Sequence, residues 1–246
     1  MDRPHLSLII PAYNEEDRIG KILNRIREYF KEQPYSWEVL AVIDGAKDRT
    51  FEVVKSTEDS FGGRLRIINN EINHGKGYVV RQGMLEAEGE YRVFTDADNS
   101  TDISYLAPML EKFKEGYDVV ISSRDKKDAP GAGQAVPQSW LKRQLGNLGN
   151  IFIQLVAVSG IWDTQNGFKG FTAAAAQDIF SCARIDRWGF DIEALALARK
   201  LGYKIGIIPI VWKNDPKSHV NLSGYLKTLV ELLEIRWNLL TGKYEK

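Results

Sequence analysis

The sequence predicts an α/β fold, a predominantly parallel central sheet flanked by helices, and three observations carry that prediction. Short β-rich runs alternate with helix-period segments through the first half of the chain. Polar stretches bearing carboxylates follow three of those runs directly, as expected at the carboxyl ends of parallel strands. The length, 246 residues, suffices for one sizeable core and favours a single domain over two small ones.

Taken in order, strands are read at LSLII (6–10), EVLAVID (38–44), RLRIINN (64–70), YRVFTDAD (91–98) and DVVISS (118–123). Each is short, rich in Val, Ile, Leu or aromatic residues, and set between helical patterns. The first helix is expected between strands one and two, where Ile19, Ile22, Leu23, Ile26, Tyr29 and Phe30 recur with helical periodicity. Asn14 is its expected cap, with Glu15, Glu16 and Asp17 at the positive end of the helix. Further helices are expected near 48–60, 76–88 and 103–115. After Arg124 the alternation ends in DKKDAPGAGQAVPQ, which reads as a mobile loop. A long apolar helix over about 139–158 follows, then GFKGF, a helix start at Ala173–Ala176, a helix over 190–201, the strand KIGIIPIVW and a last helix over 222–240. Residues 1–124 and 125–246 are thus two parts of one domain.

Lys and Arg together number 33 and so do Asp and Glu, so nothing global suggests a polyanion partner and nucleic acid is not expected. Cys182 is the only cysteine, which excludes an intramolecular disulfide and a cysteine metal cage and fits a reducing compartment. No signal-peptide pattern is present, and no apolar run reaches the ~18 residues of a membrane span, so a soluble or peripheral protein is expected. The three histidines are too dispersed to suggest a metal box.

The chemistry-bearing residues stand at the predicted strand ends: PAYNEE after strand one, Asp44-Gly45 after strand two, and Asp96 and Asp98 after strand four. Asp96 and Asp98 are hard oxygen ligands of the kind that bind Mg²⁺ or Mn²⁺ together with substrate phosphates. The plainer alternative is a pair of aspartates that cap the next helix or solvate a turn. Asn73-His74-Gly75-Lys76-Gly77 opens a helix, where glycines admit a close backbone approach and Lys76 favours an anion. It matches neither a dinucleotide fingerprint nor a P-loop. From Trp140, the positions Leu141, Leu145, Leu148, Ile151, Phe152, Leu155 and Val156 form an apolar stripe with Lys142 and Arg143 at its start. Such a helix could lie in a bilayer interface or pack inward as core. The last helix, with Tyr225, Leu229, Leu232, Leu233, Trp237 and Leu240, reads the same way, with inward packing the default.

PAYNEE (11–16), IDGAKDRT (43–50), NHGKGYVVRQGM (73–84), FTDADNST (94–101), SSR (122–124), DTQNGFKGFT (163–172) and RWGFDIEALALARKLGY (187–203) together resemble family 2 glycosyltransferases of the GT-A fold. The later motifs are most similar to the branch that charges a polyprenyl-phosphate lipid, dolichyl-phosphate glucosyltransferases above all, with dolichyl-phosphate mannose synthases as relatives. The chain departs from the pattern at Ala46, where many relatives carry serine, and at Asn166, where this branch often has cysteine.

The resemblance implies a role for each matching residue. Pro11, Tyr13 and Glu15 would border the nucleoside, Asp44 would bind base or ribose, and Lys76 would lie near the donor diphosphate. Asp96 would face the donor sugar or ribose, with Asp98 on Mg²⁺ or Mn²⁺. Arg124, Arg143 and Lys169 would take the acceptor phosphate. Implied with these are a nucleotide-sugar donor, UDP-glucose first, a polyprenyl-phosphate acceptor, an inverting displacement, and a place at the cytoplasmic face of a membrane. A phosphate monoester is largely ionised near neutrality, with a second pKa of ~6, so it needs no strong base. A hydroxyl acceptor would need one, and Asp163 and Asp191 are the candidates. Competing expectations are a soluble saccharide acceptor, GDP-mannose as donor, and a nucleotide-sugar-binding protein without turnover. A nucleotidyltransferase is disfavoured, because strand one runs into AYNEED and not into a long Gly-rich loop.

Overall fold

The computed structural model describes residues 3–134, 149–212 and 222–245, with backbone alone for Gln134 and 222–226. Five strands fall where expected: β1 (Leu6–Ala12), β2 (Trp37–Asp44), β3 (Leu65–Asn70), β4 (Tyr91–Thr95) and β5 (Val119–Ser123). Between them lie α1 (Ile19–Lys31), α2 (Thr50–Thr57), α3 (Lys76–Glu86) and α4 (Leu106–Lys114). The predicted 48–60 helix is α2 continued by a 3-10 turn over Glu58–Phe61, and a second such turn, Ile103–Tyr105, precedes α4. β6 (Gly133–Gln134) is followed by a helix described over 149–156, α5. The chain continues as β7 (Phe168–Thr172), α6 (Ala173–Cys182), α7 (Phe190–Lys200), β8 (Ile205–Pro209), β9 (Val211–Trp212) and α8 (Leu222–Leu240).

Seven strands make one sheet in the order β3-β2-β1-β4-β7-β5-β8. β1 lies parallel to β2 and β4, β2 to β3, and β5 to β8. β7 runs antiparallel to both β4 and β5, a reversal the sequence reading did not assign to GFKGF. KIGIIPIVW divides: β8 belongs to the main sheet, whereas β9 pairs with β6 in a separate two-stranded sheet. Successive side chains of a strand point to opposite faces, so β1 gives Leu6, Leu8 and Ile10 to one core and Ile9 to the other. The apolar stripe Ile19, Ile22, Leu23, Ile26 and Phe30 is buried against the first of these, as its spacing requires.

Asn14 is not the cap of α1. It adopts a left-handed conformation, φ 55°, and its Oδ1 accepts from Lys47 N, while the helix starts at Ile19 behind Arg18 with no side-chain cap. No acid stands in the first turn. The loop read as mobile is pinned over its described part: turn hydrogen bonds join Asp128 and Ala129 to Asp125, and the Asp128 carboxylate accepts from Ser123, Trp162 and Asp163. The remainder of that loop, Trp140 to Leu148 of the apolar helix, and Arg143 lie outside the described residues.

The last helix packs onto the domain, but mostly not through the stripe expected of it. Leu232 alone of the expected stripe is buried; Leu229, Leu233, Trp237 and Leu240 face outward with Val230, while Leu232, Ile235 and Asn238 pack inward. The side chain of Tyr225 lies outside the description. On α5, Ile151 and Leu155 are exposed likewise.

Candidate active site

β1, β2 and β4 are hydrogen-bonded neighbours running in one direction, so Ala12, Asp44 and Thr95 end at one edge and their loops share a cleft. The first two loops are stitched together. Lys47 N reaches Asn14, Glu16 N reaches Asp48, and Arg49 N reaches Glu16, each within about a hydrogen-bond length. Tyr13 is exposed on the first of these loops, and Glu15 is paired with Arg18 at 2.7 Å. Asp44 is 2% exposed, and its oxygens accept from Asn73 Nδ2, His74 N and Gly75 N, each at 2.8 Å. Its carboxylate thus fixes the loop that leads into α3.

Gly75 begins that helix at φ +115°, a conformation L side chains rarely adopt, and a Cβ there would lie 2.4 Å from Asp186 O. The Arg184–Asp186 segment is itself held by the buried Glu193, which accepts from Arg184 N and Ile185 N. Tyr78 N donates to Asp186 O, so the helix N-terminus is partly covered and Lys76 supplies its cation to the cleft. Lys76 Nζ stands 2.6 Å from Asp96 Oδ1, flanked by the rings of Trp188 and Phe190 at 5.8 and 5.9 Å. Gly189 N donates to Glu231 of α8 at 2.6 Å, which steadies those two rings.

Asp96 is set by β7: its N–H donates to Gly167 O at 3.1 Å, and a Cβ on Gly167 would fall 2.0 Å from Asp96 Oδ2. Only glycine permits that approach. Asp98 Oδ1 accepts from Ser100 N at 2.9 Å. Burial, and after it the like charge of Asp96, raises the Asp98 carboxyl above the ordinary range. Burial opposes the Lys76 ammonium, yet Asp96, Asp191 and Asp98 hold its pKa above that of a free lysine. Asp96 Oδ1 is buried without a hydrogen-bond-aligned donor despite the nearby ammonium. Two hard, mutually repelling carboxylates fit a divalent cation that would displace the ammonium from Asp96. Among the described residues no group of three or more His, Cys, Asp or Glu could hold a metal, so such an ion would take its remaining oxygens from substrate or water.

On the far side, Asp163 takes Arg124 Nε and Nη2 in a fork at 2.8 and 2.7 Å and Arg124 N at 2.7 Å. Burial would raise the Asp163 carboxyl, but Arg124 holds it below the usual range. Trp212 of β9 lies beneath the guanidinium at 5.1 Å. Burial opposes the Arg124 charge too, and Asp163 first, then Asp96 and Asp191, outweigh it, so both halves of the cleft share one field. Behind them Lys169, 0% exposed, donates to Asp191 Oδ1 and to Asn166 O, each at 2.5 Å. Burial raises the Asp191 carboxyl against the lowering effect of Lys169 and Lys76.

Residues 7–180 match the family described as Glycosyl transferase family 2. The chain belongs to glycosyltransferase family 2. It is 34% identical to a dolichyl-phosphate beta-glucosyltransferase of Trichomonas vaginalis, over 95% of this chain and 74% of that protein. It is 30% identical to the human dolichyl-phosphate beta-glucosyltransferase, over 97% and 77% of the two chains. In fold it is similar to glucosyl-3-phosphoglycerate synthase from Mycobacterium tuberculosis, crystallised with Mn²⁺, UDP and glucosyl-3-phosphoglycerate. That likeness has TM-score 0.68 and 16% identity, covering 95% of this chain and 80% of the other. The protein is therefore a glycosyltransferase of the GT-A fold.

Within this family 2 glycosyltransferase the expected site residues separate into three groups. Pro11, Tyr13, Glu15, Asp44, Lys76, Asp96 and Asp98 are brought together at the carboxyl edge of β1, β2 and β4, and Arg124 and Asp163 stand together beyond them. Lys169 is corrected: a lysine without exposed surface, locked to Asp191, cannot hold an acceptor phosphate, and it instead fixes Asp191. Arg143 lies outside the described residues. Sequence reasoning missed Asp128, whose carboxylate accepts from Asp163 N at 2.8 Å and so sets the residue that sets Arg124. It also missed Trp212 beneath that arginine. An aspartate in a Lys-rich, Gly-rich loop carries no local sign that its partners lie 34 and 35 residues on.

Proposed function

We propose that this glycosyltransferase moves glucose from UDP-glucose to a polyprenyl phosphate of the dolichyl type, at a membrane surface, using Mg²⁺ or Mn²⁺ held by Asp98 and Asp96. One observation carries the acceptor half of the reading. Asp163 and Asp191, the two carboxylates a hydroxyl acceptor would call on, each already hold a cation, Arg124 at 2.7 Å and Lys169 at 2.5 Å. Among the described residues the two carboxylates named for a hydroxyl acceptor are thus both ion-paired, with Arg124 beside them, which suits a nucleophile that is already an anion. The names of the relatives, dolichyl-phosphate beta-glucosyltransferases at 30–34% identity, agree.

The chain's own residues would act as follows. The loops bearing Pro11, Tyr13, Glu15 and Asp44 border the nucleoside. Lys76 neutralises the diphosphate as the bond to the sugar opens, a stabilisation worth most in a cleft that excludes water. A bound divalent ion adds charge for the same leaving group. Arg124, aimed by Asp163 and Trp212, orients the acceptor phosphate opposite the leaving diphosphate, and Arg143 would complete its grip. An α-linked nucleotide sugar attacked in line gives a β-linked product, a single inversion. The outward apolar faces of α8 and α5 would rest in the lipid interface and bring the cleft to its acceptor; no helix among the described residues is long and apolar enough to cross a membrane.

The test is transfer of radiolabelled sugar from UDP-glucose and from GDP-mannose to a short-chain polyprenyl phosphate, with Mg²⁺, Mn²⁺ or chelator. The expected product is organic-extractable, formed from UDP-glucose, and lost with chelator. Product from GDP-mannose instead would overturn the sugar, and donor binding without lipid product would overturn the acceptor.

A further inference from the structure

We infer that Lys76 competes with the divalent cation for Asp96, and that the donor diphosphate relieves this competition by drawing the ammonium away, so that metal and donor bind cooperatively. This rests on the metal and diphosphate reading above and goes beyond it, since it assigns the coupling between the two ligands to one side chain. The ammonium stands 2.6 Å from Asp96 Oδ1. A divalent ion on that oxygen would sit at about 2.0–2.6 Å from it, so the two cations cannot share it without strong repulsion.

The backbone at Lys76 cannot yield. A Cβ on Gly75 would be 2.4 Å from Asp186 O and one on Gly77 would be 2.4 Å from Ile185 O, so the start of α3 is wedged against that segment. Only the side chain can move. Its other nearby carboxylates are Asp191, already bound to the buried Lys169 at 2.5 Å, and Asp98, which the metal itself would occupy, and the rings of Trp188 and Phe190 flank it. With the metal on Asp96 and Asp98, then, a displaced ammonium finds no unengaged carboxylate among these described neighbours. A diphosphate is that anion. Metal alone must displace Lys76 uncompensated, whereas metal arriving with diphosphate exchanges one ion pair for two. Linkage makes the effect reciprocal, so metal must strengthen diphosphate binding by the same factor.

The experiment measures Mn²⁺ binding to the full chain from the electron paramagnetic resonance signal of the free ion. It is run with and without UDP and corrected for Mn²⁺ that UDP binds in solution. In the wild-type protein UDP should strengthen Mn²⁺ binding. Lys76→Met should bind Mn²⁺ alone on the order of tenfold more tightly and lose most of the enhancement by UDP. Lys76→Arg, which keeps the cation, should behave as wild type and guards against a folding artefact in the methionine variant. Mn²⁺ affinity of Lys76→Met no tighter than wild type, or an undiminished UDP effect, overturns the inference. Asp98→Ala separates the two levels: if it binds Mn²⁺ as wild type does, the metal reading and this inference fall together. If it abolishes binding while Lys76→Met matches wild type, this inference alone falls.

Discussion

Lys169 and Asp191 meet at 2.5 Å with almost no solvent on either side, the lysine on β7 and the aspartate on α7. Removing one member of a buried ion pair leaves the other uncompensated, at a cost of about 3–5 kcal/mol. Lys169→Ala should therefore lower the melting temperature sharply, measured by circular dichroism. A variant with wild-type melting and a raised acceptor KM would restore the phosphate role first expected of Lys169. Arg124 calls for a gentler change, because alanine would strand Asp163 in the same way. Arg124→Lys keeps a charge and loses the fork, and should raise the acceptor KM about tenfold while donor KM stays near wild type, as loss of a bidentate phosphate grip predicts. Equal losses for both substrates would remove Arg124 from the acceptor.

Acid titration reads the same pair. The Asp163 carboxyl is lowered in the folded chain, so its contribution to stability is complete above the ordinary value of 3.8 and disappears as pH falls through the depressed value. Asp191 has the opposite sign: its raised carboxyl costs stability when ionised, and acid relieves that cost. The stability gap between wild type and Asp163→Asn should narrow below 3.8. A gap that stays constant through the acid range would show that Asp163 is not ionised on Arg124. At this scale the sequence names candidates where residue type suggests the chemistry, as for Lys76 and Asp98, while Arg124 came with the family resemblance. The sequence was illegible where burial decides, because nothing in GFKGF says that Lys169, between Phe168 and Gly170, is left without solvent.

At the scale of elements, β7 carries the least legible and most consequential placement. GFKGF is five residues with two glycines and a charge, so neither alternation nor β propensity marks it, and its direction follows only from pairing with β4 and β5. Gly167, immediately ahead of β7, lies against the carboxylate of Asp96. Gly167→Ala would place a methyl 2.0 Å from Asp96 Oδ2, and the carboxylate must move. UDP affinity in the presence of Mn²⁺, followed calorimetrically, should drop by at least tenfold for a shift of this kind at a binding group. Unchanged affinity would show that Asp96 does not serve the donor. The outer face of α8 makes a separate prediction. Trp237 is 60% exposed and Leu233 lies one turn away on the same outward face. Changing both to glutamate should reduce co-sedimentation with phospholipid vesicles without changing UDP binding. Wild-type sedimentation in that variant would move the membrane contact elsewhere. Periodicity had announced the α8 stripe but could not say which way it faces, since an apolar face has the same spacing whether it meets core or lipid.

Across the whole molecule, the first five strands were read from sequence where they lie, because strands alternating with helices leave similar signals. In the second half the elements were read too, but not their arrangement, because its order in space departs from its order along the chain. β4 and β5 are separated in the sheet by β7, which is made only after the intervening loop and α5. This has a consequence for how the protein comes into being. As the chain leaves the ribosome, β1 to β4 can pair in full, whereas the outer edge of β4 and the whole of β5 must wait for residues 168–172. During that interval the nascent chain carries an uncovered apolar strand and an open edge, a template for pairing with the wrong neighbour. The segment that closes the active site is thus also the one that ends the chain's most aggregation-prone moment, so a fragment stopping at Arg124 should precipitate where the full chain stays in solution.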